Sequence, residues 1–126
     1  MRFLLDTHVL LWITGDPERI PIGLIATLEH ADSKTFVSVA SIWEVAIKIG
    51  QGKIRLSVEE LLEELKKQPF EILPIEVRHV QGLTGLAPFH KDPFDRLLIS
   101  QALTDDLVLV SVDRQFSQYG VRLFWQ

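Results

Sequence analysis

Four acidic residues stand where a short apolar run gives way to a helical pattern, or just inside that helix. They are Asp6, Glu44, Asp95 and Asp113. In an open parallel sheet the carboxyl ends of the strands share one edge, and ligands bind in the crevice along it. Carboxylates gathered there would repel one another unless a divalent cation held them together. The sequence therefore predicts a site for a hard metal ion, Mg²⁺ or Mn²⁺, and chemistry on phosphates.

The apolar pattern around these acids predicts alternating strands and helices. Short apolar runs predict strands at residues 2–5, 35–39, 70–75, 107–112 and 121–125. Helical patterns cover residues 8–13, 21–31, 41–50, 57–68, 76–83 and 92–103. This alternation predicts βαβ units and a small α/β sandwich with a mainly parallel sheet. Pro74 places its strand at the periphery of the sheet, since proline cannot donate to the ladder.

Three of the four acids also have a purely structural explanation. Asp6 could cap the helix that follows it. Glu44 lies three residues after Ser41, so the pair could form a capping box at the start of a helix. Asp113 could form an Asx-turn or a cap at the exit of its strand. Taken one at a time these signals are weak, but their shared position at strand ends favours a common site.

Asp95 is the most informative of the acids. Asp92 followed by Pro93 already caps this helix, with Asp92 supporting the site only as a lesser option. Asp95 borders the apolar side of the helix. The helix dipole stabilises a carboxylate there by about 0.3–1 kcal/mol, whereas burying it unpaired costs several kcal/mol. Asp95 therefore requires a metal ion or an arginine partner.

Five cationic side chains are candidates for contacts with the phosphate backbone of a nucleic acid. Lys48, Lys53 and Arg55 surround two glycines and could follow a phosphate backbone, or the lysines could complement the dipole at a helix end. Arg96 and Arg114 each follow one of the acids and could contact phosphate. Either arginine could equally pair with a structural carboxylate.

The remaining candidates are predicted to have structural roles. His8 and His90 lie near the acids, but no histidine spacing supports a transition-metal site, so they are interpreted as packing or hydrogen-bonding groups. Trp12, Trp43 and Trp125 are expected in the core or in an interface.

Composition bounds the class of protein. A length of 126 residues predicts a single domain over residues 1–126. The absence of cysteine excludes disulfides, zinc–thiolate sites and cysteine nucleophiles. No signal peptide and no membrane-spanning stretch is evident, so a cytoplasmic location is expected. The net charge of −4 argues at face value against a nucleic-acid partner, but a metal ion bound by the acids would neutralise much of it.

Three segments carry a resemblance to a known family. The sequence Leu-Leu-Asp-Thr-His at 4–8, the segment 41–54 beginning Ser-Ile-Trp-Glu-Val, and the segment 90–102 beginning His-Lys-Asp-Pro-Phe-Asp-Arg resemble the PIN-domain family, in particular the VapC-type toxins of bacterial toxin–antitoxin pairs. The resemblance implies a PIN-like three-layer α/β/α sandwich and a ribonuclease that depends on Mg²⁺ or Mn²⁺. It matches Asp6, Glu44 and Asp95 to the three core acids and Asp113 to a more variable fourth. It also implies a homodimer and an antitoxin whose tail covers the active site.

The primary hypothesis is therefore an endoribonuclease in which one or two cations activate water for in-line attack on phosphorus. Thr7 or Ser111 would orient the water or a carboxylate. A phosphatase of the haloacid dehalogenase type is the second hypothesis, although it requires an aspartate at position 8, where the chain has His8. A receiver-like domain belongs to the same hypothesis, but it requires an acidic pair before its nucleophilic aspartate and a lysine near the last strand, and neither is evident in this chain. The third hypothesis is a catalytically silent module that binds a protein partner.

Overall fold

A five-stranded sheet lies at the centre of the molecule, in a computed structural model that describes residues 1–126. The strands are β1 (Arg2–Leu5), β2 (Lys34–Ser38), β3 (Phe70–Leu73), β4 (Val108–Val110) and β5 (Leu123–Phe124). Their order is β3-β2-β1-β4-β5, and every neighbouring pair is parallel. The prediction of a mainly parallel sheet is confirmed, with β3 at an edge as Pro74 indicated.

Six α-helices connect the strands. They are α1 (Thr7–Gly15), α2 (Leu24–Glu29), α3 (Val39–Gly50), α4 (Val58–Lys66), α5 (Val77–Gln81) and α6 (Pro93–Thr104). Short 3₁₀ turns cover Pro17–Arg19, Gly82–Gly85 and Arg114–Tyr119. None of these helices combines the length and the apolar composition that crossing a membrane requires.

Several elements are shorter than the apolar pattern predicts. The helix predicted over 21–31 begins only at Leu24, because Gly23 has a φ of +96° and cannot continue a right-handed helix. The helix predicted over 76–83 tightens into a 3₁₀ turn at Gly82, where a Cβ would collide with Ser100 Oγ of α6. The strand predicted over 107–112 begins later, because the Leu107 amide donates to Ala102 at the end of α6.

The two faces of the sheet bury separate apolar clusters. Phe3 and Leu5 of β1 point to one face and pack with α1, α2, α3 and α4. Leu4 points to the opposite face and packs with Leu98 and Ile99 of α6. Each such buried side chain stabilises the fold by roughly 1.5–3 kcal/mol. The predicted three-layer α/β/α sandwich is confirmed.

The strand order places a crevice beside β1. The chain runs from β1 to β2 on one side and later returns to β4 on the other, so the direction of winding reverses between β1 and β4. Ligands of open α/β sheets bind at such a reversal, outside the carboxyl ends of the strands. Asp6 follows β1 directly, and residues 111–113 follow β4.

Candidate active site

A hydroxyl group joins the ends of β1 and β4. Ser111 Oγ donates to Asp6 Oδ2 at 2.7 Å and accepts a hydrogen bond from the Asp113 amide at 3.0 Å. Asp6 is only 3% exposed and makes no side-chain cap hydrogen bond to α1. Asp6 nevertheless occupies the N-cap position of α1, where the His8 amide lowers the pKa of its carboxyl against the larger effect of burial, so a weak capping interaction coexists with a carboxylate that lines the crevice.

Burial also controls the protonation of Asp6. Loss of solvent raises the pKa of this carboxyl above its usual value, and the charge of Glu44 raises it further. The hydrogen bond from Ser111 opposes the shift without cancelling it. The surroundings of Asp6 therefore leave its negative charge incompletely stabilised.

The start of α3 determines where Glu44 lies. Ser38 caps this helix by accepting a hydrogen bond from the Ala40 amide at 2.9 Å, so the helix begins at Val39, two residues earlier than predicted. Ser41 lies inside the helix, buried, and accepts a hydrogen bond from Thr7 Oγ1 at 2.9 Å. The capping-box explanation of Glu44 is therefore wrong. Thr7 holds α1 against α3 rather than contacting one of the four acids.

Glu44 has one engaged and one free oxygen. Glu44 is 8% exposed, and its Oε2 atom lies 3.2 Å from Nζ of Lys48, one helical turn later. Oε1 is buried and has no hydrogen-bond partner. Buried polar atoms are almost always satisfied, so this unpartnered carboxylate oxygen is a candidate donor to a bound cation.

Asp95 is freed by the cap that precedes it. Asp92 accepts hydrogen bonds from the Phe94 amide at 2.8 Å and the Asp95 amide at 3.2 Å, which confirms the predicted start of α6. The pKa of Asp95 is raised to about 7, first by burial and then by the charges of Asp92, Asp6, Glu44 and Asp113. Acids from four separate segments are thus close enough to act on one carboxyl group.

Asp113 divides its two oxygens between two roles. Oδ1 accepts a hydrogen bond from the Gln115 amide at 2.9 Å and caps the following 3₁₀ turn, so the structural alternative is confirmed for this oxygen. Oδ2 lies 3.8 Å from His90 Nε2. One oxygen of Asp113 therefore remains available to the crevice.

A pocket of about 260 Å³ contains three of the acids. Asp6, Asp95 and Asp113 line it together with His8 and Trp12. No group of three or more histidine and acidic side chains is arranged so that it could already hold a metal ion. The donors fit a hard divalent cation in type and charge, since all are carboxylate oxygens, one is unpartnered and their charges repel. Binding requires these side chains to move closer together.

The five predicted RNA-binding cations occupy different positions. Lys48 is paired with Glu44. Arg96 donates to the carbonyl oxygens of Ala87 at 3.0 Å, His90 at 3.1 Å and Leu86 at 3.3 Å, so its guanidinium holds the loop before α6. Arg114 is exposed at the first position of its 3₁₀ turn. The contacts of these cations with RNA remain predictions.

Lys53 and Arg55 lie in a groove of about 610 Å³ between α1 and the segment that leads to α4. Trp12 borders both this groove and the acid pocket, which places the two side by side. Another groove, of about 550 Å³ between α4 and β3, contains none of the four acids.

Sequence reasoning missed two partners of the acids. Lys48 follows Glu44 by four residues, and that spacing on a helix was a readable signal for an ion pair. His90 was interpreted as a packing or hydrogen-bonding group without a partner among the four acids, and its ring lies between Asp95 and Asp113. Only its closeness to Asp95 in the chain pointed to this position.

The parallel sheet, with carboxylates gathered at its switch point, defines an α/β protein with an acidic candidate active site. Residues 3–121 match the PIN domain, and the chain belongs to the PIN domain family. This membership confirms the resemblance and leaves the phosphatase and receiver hypotheses without support. Ribonuclease VapC22 of Mycobacterium tuberculosis is 29% identical over 119 residues, which cover 92% of this chain and 90% of that protein.

Solved structures share the fold at low sequence identity. VapBC2 from Rickettsia felis, bound to a DNA fragment from their promoter, gives a TM-score of 0.73 at 18% identity over 100% of both chains. VapBC-1 from nontypeable Haemophilus influenzae gives a TM-score of 0.69 at 17% identity and covers 98% of this chain and 97% of that one. FitAcB from Neisseria gonorrhoeae gives a TM-score of 0.67 at 18% identity and covers 97% of this chain and 96% of that one.

Proposed function

We propose that this protein is a metal-dependent endoribonuclease and the toxin of a toxin–antitoxin pair. The observation that carries the proposal is the convergence of Asp6, Asp95 and Asp113 on one pocket at the switch point of the sheet. The charges of Asp6, Glu44 and Asp113 also help to raise the pKa of Asp95 to about 7. Charges left unneutralised at a switch point are suited to a cation and a phosphate substrate. The likeness to Ribonuclease VapC22 supports RNA as that substrate.

Asp6, Glu44 and Asp95 would hold Mg²⁺ or Mn²⁺, with the free oxygen of Asp113 assisting. A bound divalent cation supplies an activated water and neutralises charge on the phosphate oxygens. Ser111 orients Asp6 through its 2.7 Å hydrogen bond. Lys48 engages one oxygen of Glu44 and leaves the other free.

Removal of metal is the first test of this function. Mixed RNA incubated with the wild-type protein in EDTA is expected to remain intact, and excess Mg²⁺ or Mn²⁺ is expected to restore cleavage. Asp6→Asn should stay inactive in either metal, whereas Asp32→Asn, which changes an exposed acid beside His30, should cleave normally. Equal cleavage by wild type and Asp6→Asn would end the assignment of the site, and a wild-type protein that cleaves RNA in neither metal would favour the silent binding module.

The groove beside the acid pocket is proposed as part of the RNA path. The double variant Lys53→Ala/Arg55→Ala is expected to raise KM with little change in kcat, because these side chains line the neighbouring groove and not the acid pocket. For single-stranded RNA, each lost phosphate contact should reduce the magnitude of the slope of log binding constant against log salt concentration by about 0.7. Fluorescence anisotropy over a salt series measures this slope.

The double variant Lys66→Ala/Lys67→Ala is the matched control, since it removes the same charge from the C-terminal end of α4, where both lysines are paired with glutamates. It should leave KM and the slope unchanged. An equal effect of the two double variants would show that net charge matters rather than the groove.

An antitoxin and a second copy of the chain are the proposed partners. The likeness of the fold to the VapBC structures supports a small protein partner encoded beside this gene. Co-expression with the neighbouring reading frame should yield a complex in which RNA cleavage is suppressed, and light scattering of the isolated protein should give the mass of a dimer. Binding without any cleavage by the free protein would favour the silent module.

A further inference from the structure

The imidazole of His90 lies among the acids, and we infer that it is a positioning residue that sets Asp95 and Asp113 for a shared cation. The inference rests on the proposed metal site and adds to it a residue that does not itself bind the metal.

The ring presents one nitrogen to each of two carboxylates. Nδ1 lies 3.9 Å from Asp95 Oδ2, and Nε2 lies 3.8 Å from Asp113 Oδ2. Both distances exceed a hydrogen bond, so the ring faces the carboxylates without being bound to either. A neutral imidazole carries a proton on one nitrogen only, so a small movement of the carboxylate that faces this nitrogen would close one hydrogen bond, and an imidazolium would close both.

The Nε2 atom of His90 is buried and has no hydrogen-bond partner. The side chain is only 9% exposed, so bulk solvent does not reach this nitrogen. Leaving a buried polar group unsatisfied costs about 1–3 kcal/mol, and such a group in a folded protein requires an explanation. A carboxylate that approaches when a cation is bound provides one.

The backbone and ring of His90 are held from several sides. Its amide donates to Tyr119 Oη at 2.7 Å, and its carbonyl accepts from Arg96 at 3.1 Å. The ring stacks on Tyr119, with 13° between the planes, and packs on Phe116 with ring centroids 5.0 Å apart. The imidazole is therefore a fixed point, and the carboxylates are the groups that adjust to it.

A second buried histidine shows what a purely structural role looks like in this chain. His79 Nδ1 accepts from the Glu76 amide at 2.9 Å, and Nε2 lies 2.9 Å from Asp105 Oδ2. Both nitrogens of His79 are satisfied within the fold. The nitrogens of His90 are not, and they face the acids instead of a backbone group.

Replacement of the ring nitrogens alone tests the inference. His90→Phe keeps an aromatic ring between Phe116 and Tyr119 but removes both nitrogens. Outer partners of metal-binding groups typically contribute 10–100-fold to metal affinity, so the Kd for Mn²⁺ should rise by about that factor. The Kd is measured without RNA, from the electron paramagnetic resonance signal of free Mn²⁺, and the unfolding temperature is recorded alongside.

Two further variants serve as a partial rescue and as a matched control. His90→Gln, which keeps one donor, should recover part of the affinity. His30→Phe makes the same chemical change at an exposed histidine beside Asp32 and should leave the Kd unchanged. A His90→Phe protein that is folded and binds Mn²⁺ as tightly as wild type overturns the inference.

The outcomes separate this inference from the proposed function. If wild type binds no Mn²⁺, or if Asp6→Asn binds it equally well, the metal site itself fails. If His90→Phe does not fold, nitrogen NMR of the wild-type imidazoles during a Mg²⁺ titration decides the question. The His90 ring signals should shift as Mg²⁺ saturates while those of His30 and His79 stay in place, and unchanged His90 signals overturn the inference.

Discussion

Asp95→Asn is expected to reduce RNA cleavage by at least about 10²–10³-fold and to make the metal-free protein more stable at pH 8. Burial and the surrounding acids raise the pKa of Asp95 to about 7. At pH 8 the folded protein therefore contains an ionised carboxylate in surroundings that favour its protonated form. An unfolded aspartate ionises near pH ~3.9. The folded state therefore loses stability as the pH rises from about 4 to 7, and the full penalty is present above pH 7.

Replacement by asparagine removes this penalty. After discounting for partial exposure, the gain in the free energy of unfolding at pH 8 is about 1–3 kcal/mol, and it should disappear near pH 4. Urea unfolding in EDTA at both pH values measures it. Added Mg²⁺ should then stabilise wild type by binding to the folded state but not Asp95→Asn.

Asp32→Asn provides the control for both measurements, since the Asp32 side chain is 92% exposed. It should alter neither cleavage nor stability. An Asp95→Asn protein that is less stable than wild type at pH 8 would show that the carboxylate is paired within the fold. An active one would remove Asp95 from the site.

The features of the site that follow from local rules were predictable from the sequence. Asp6 and Asp113 come directly after apolar strands, and parallel strands end at one edge, so their closeness follows from the pattern. The combination of Asp92 and Pro93 marked the start of α6 and freed Asp95 from a capping role. These inferences needed only the local sequence and the geometry of a parallel sheet.

The features that depend on contacts between distant segments were not predictable. Ser38 and Ser41 are both good caps, and only the packing of Thr7 against Ser41 shows which one lies inside α3. His90 lies in a loop without periodicity, and its position depends on Tyr119, 29 residues later. The order of the sheet, with β1 between β2 and β4, likewise has no local signal.

Asp105→Asn is expected to lower the free energy of unfolding by about 2 kcal/mol, because hydrogen bonds to a charged group contribute about 1.5–3 kcal/mol. Asp105, at the end of α6, accepts from Arg78 Nε at 2.9 Å and Nη2 at 3.0 Å. His79 accepts from the Glu76 amide through Nδ1, so its proton is on Nε2, which donates to Asp105 at 2.9 Å. His79 is fully buried, and the loss of the carboxylate leaves this donor poorly satisfied.

The neighbouring residue offers a matched control. Asp106→Asn removes the same charge from an exposed pair with Arg122, whose atoms lie 3.0 Å apart, and should cost no more than about 0.5 kcal/mol. It also preserves a side chain that tolerates the positive φ of 54° at this position. Both variants should still cleave RNA at 25 °C, because neither residue contacts the four acids.

The pH dependence separates a charge effect at Asp105 from a loss of packing. Hydrogen bonds from Arg78 hold the pKa of Asp105 below its ordinary value. A lowered pKa contributes stability that is present above the unfolded value of about 3.9 and is lost as the pH falls through the folded value. The difference between wild type and Asp105→Asn should therefore be constant from pH 5 to about 8 and disappear in stronger acid. A urea series across this range measures it, and a difference that persists after wild-type Asp105 is protonated would assign the effect to shape rather than charge.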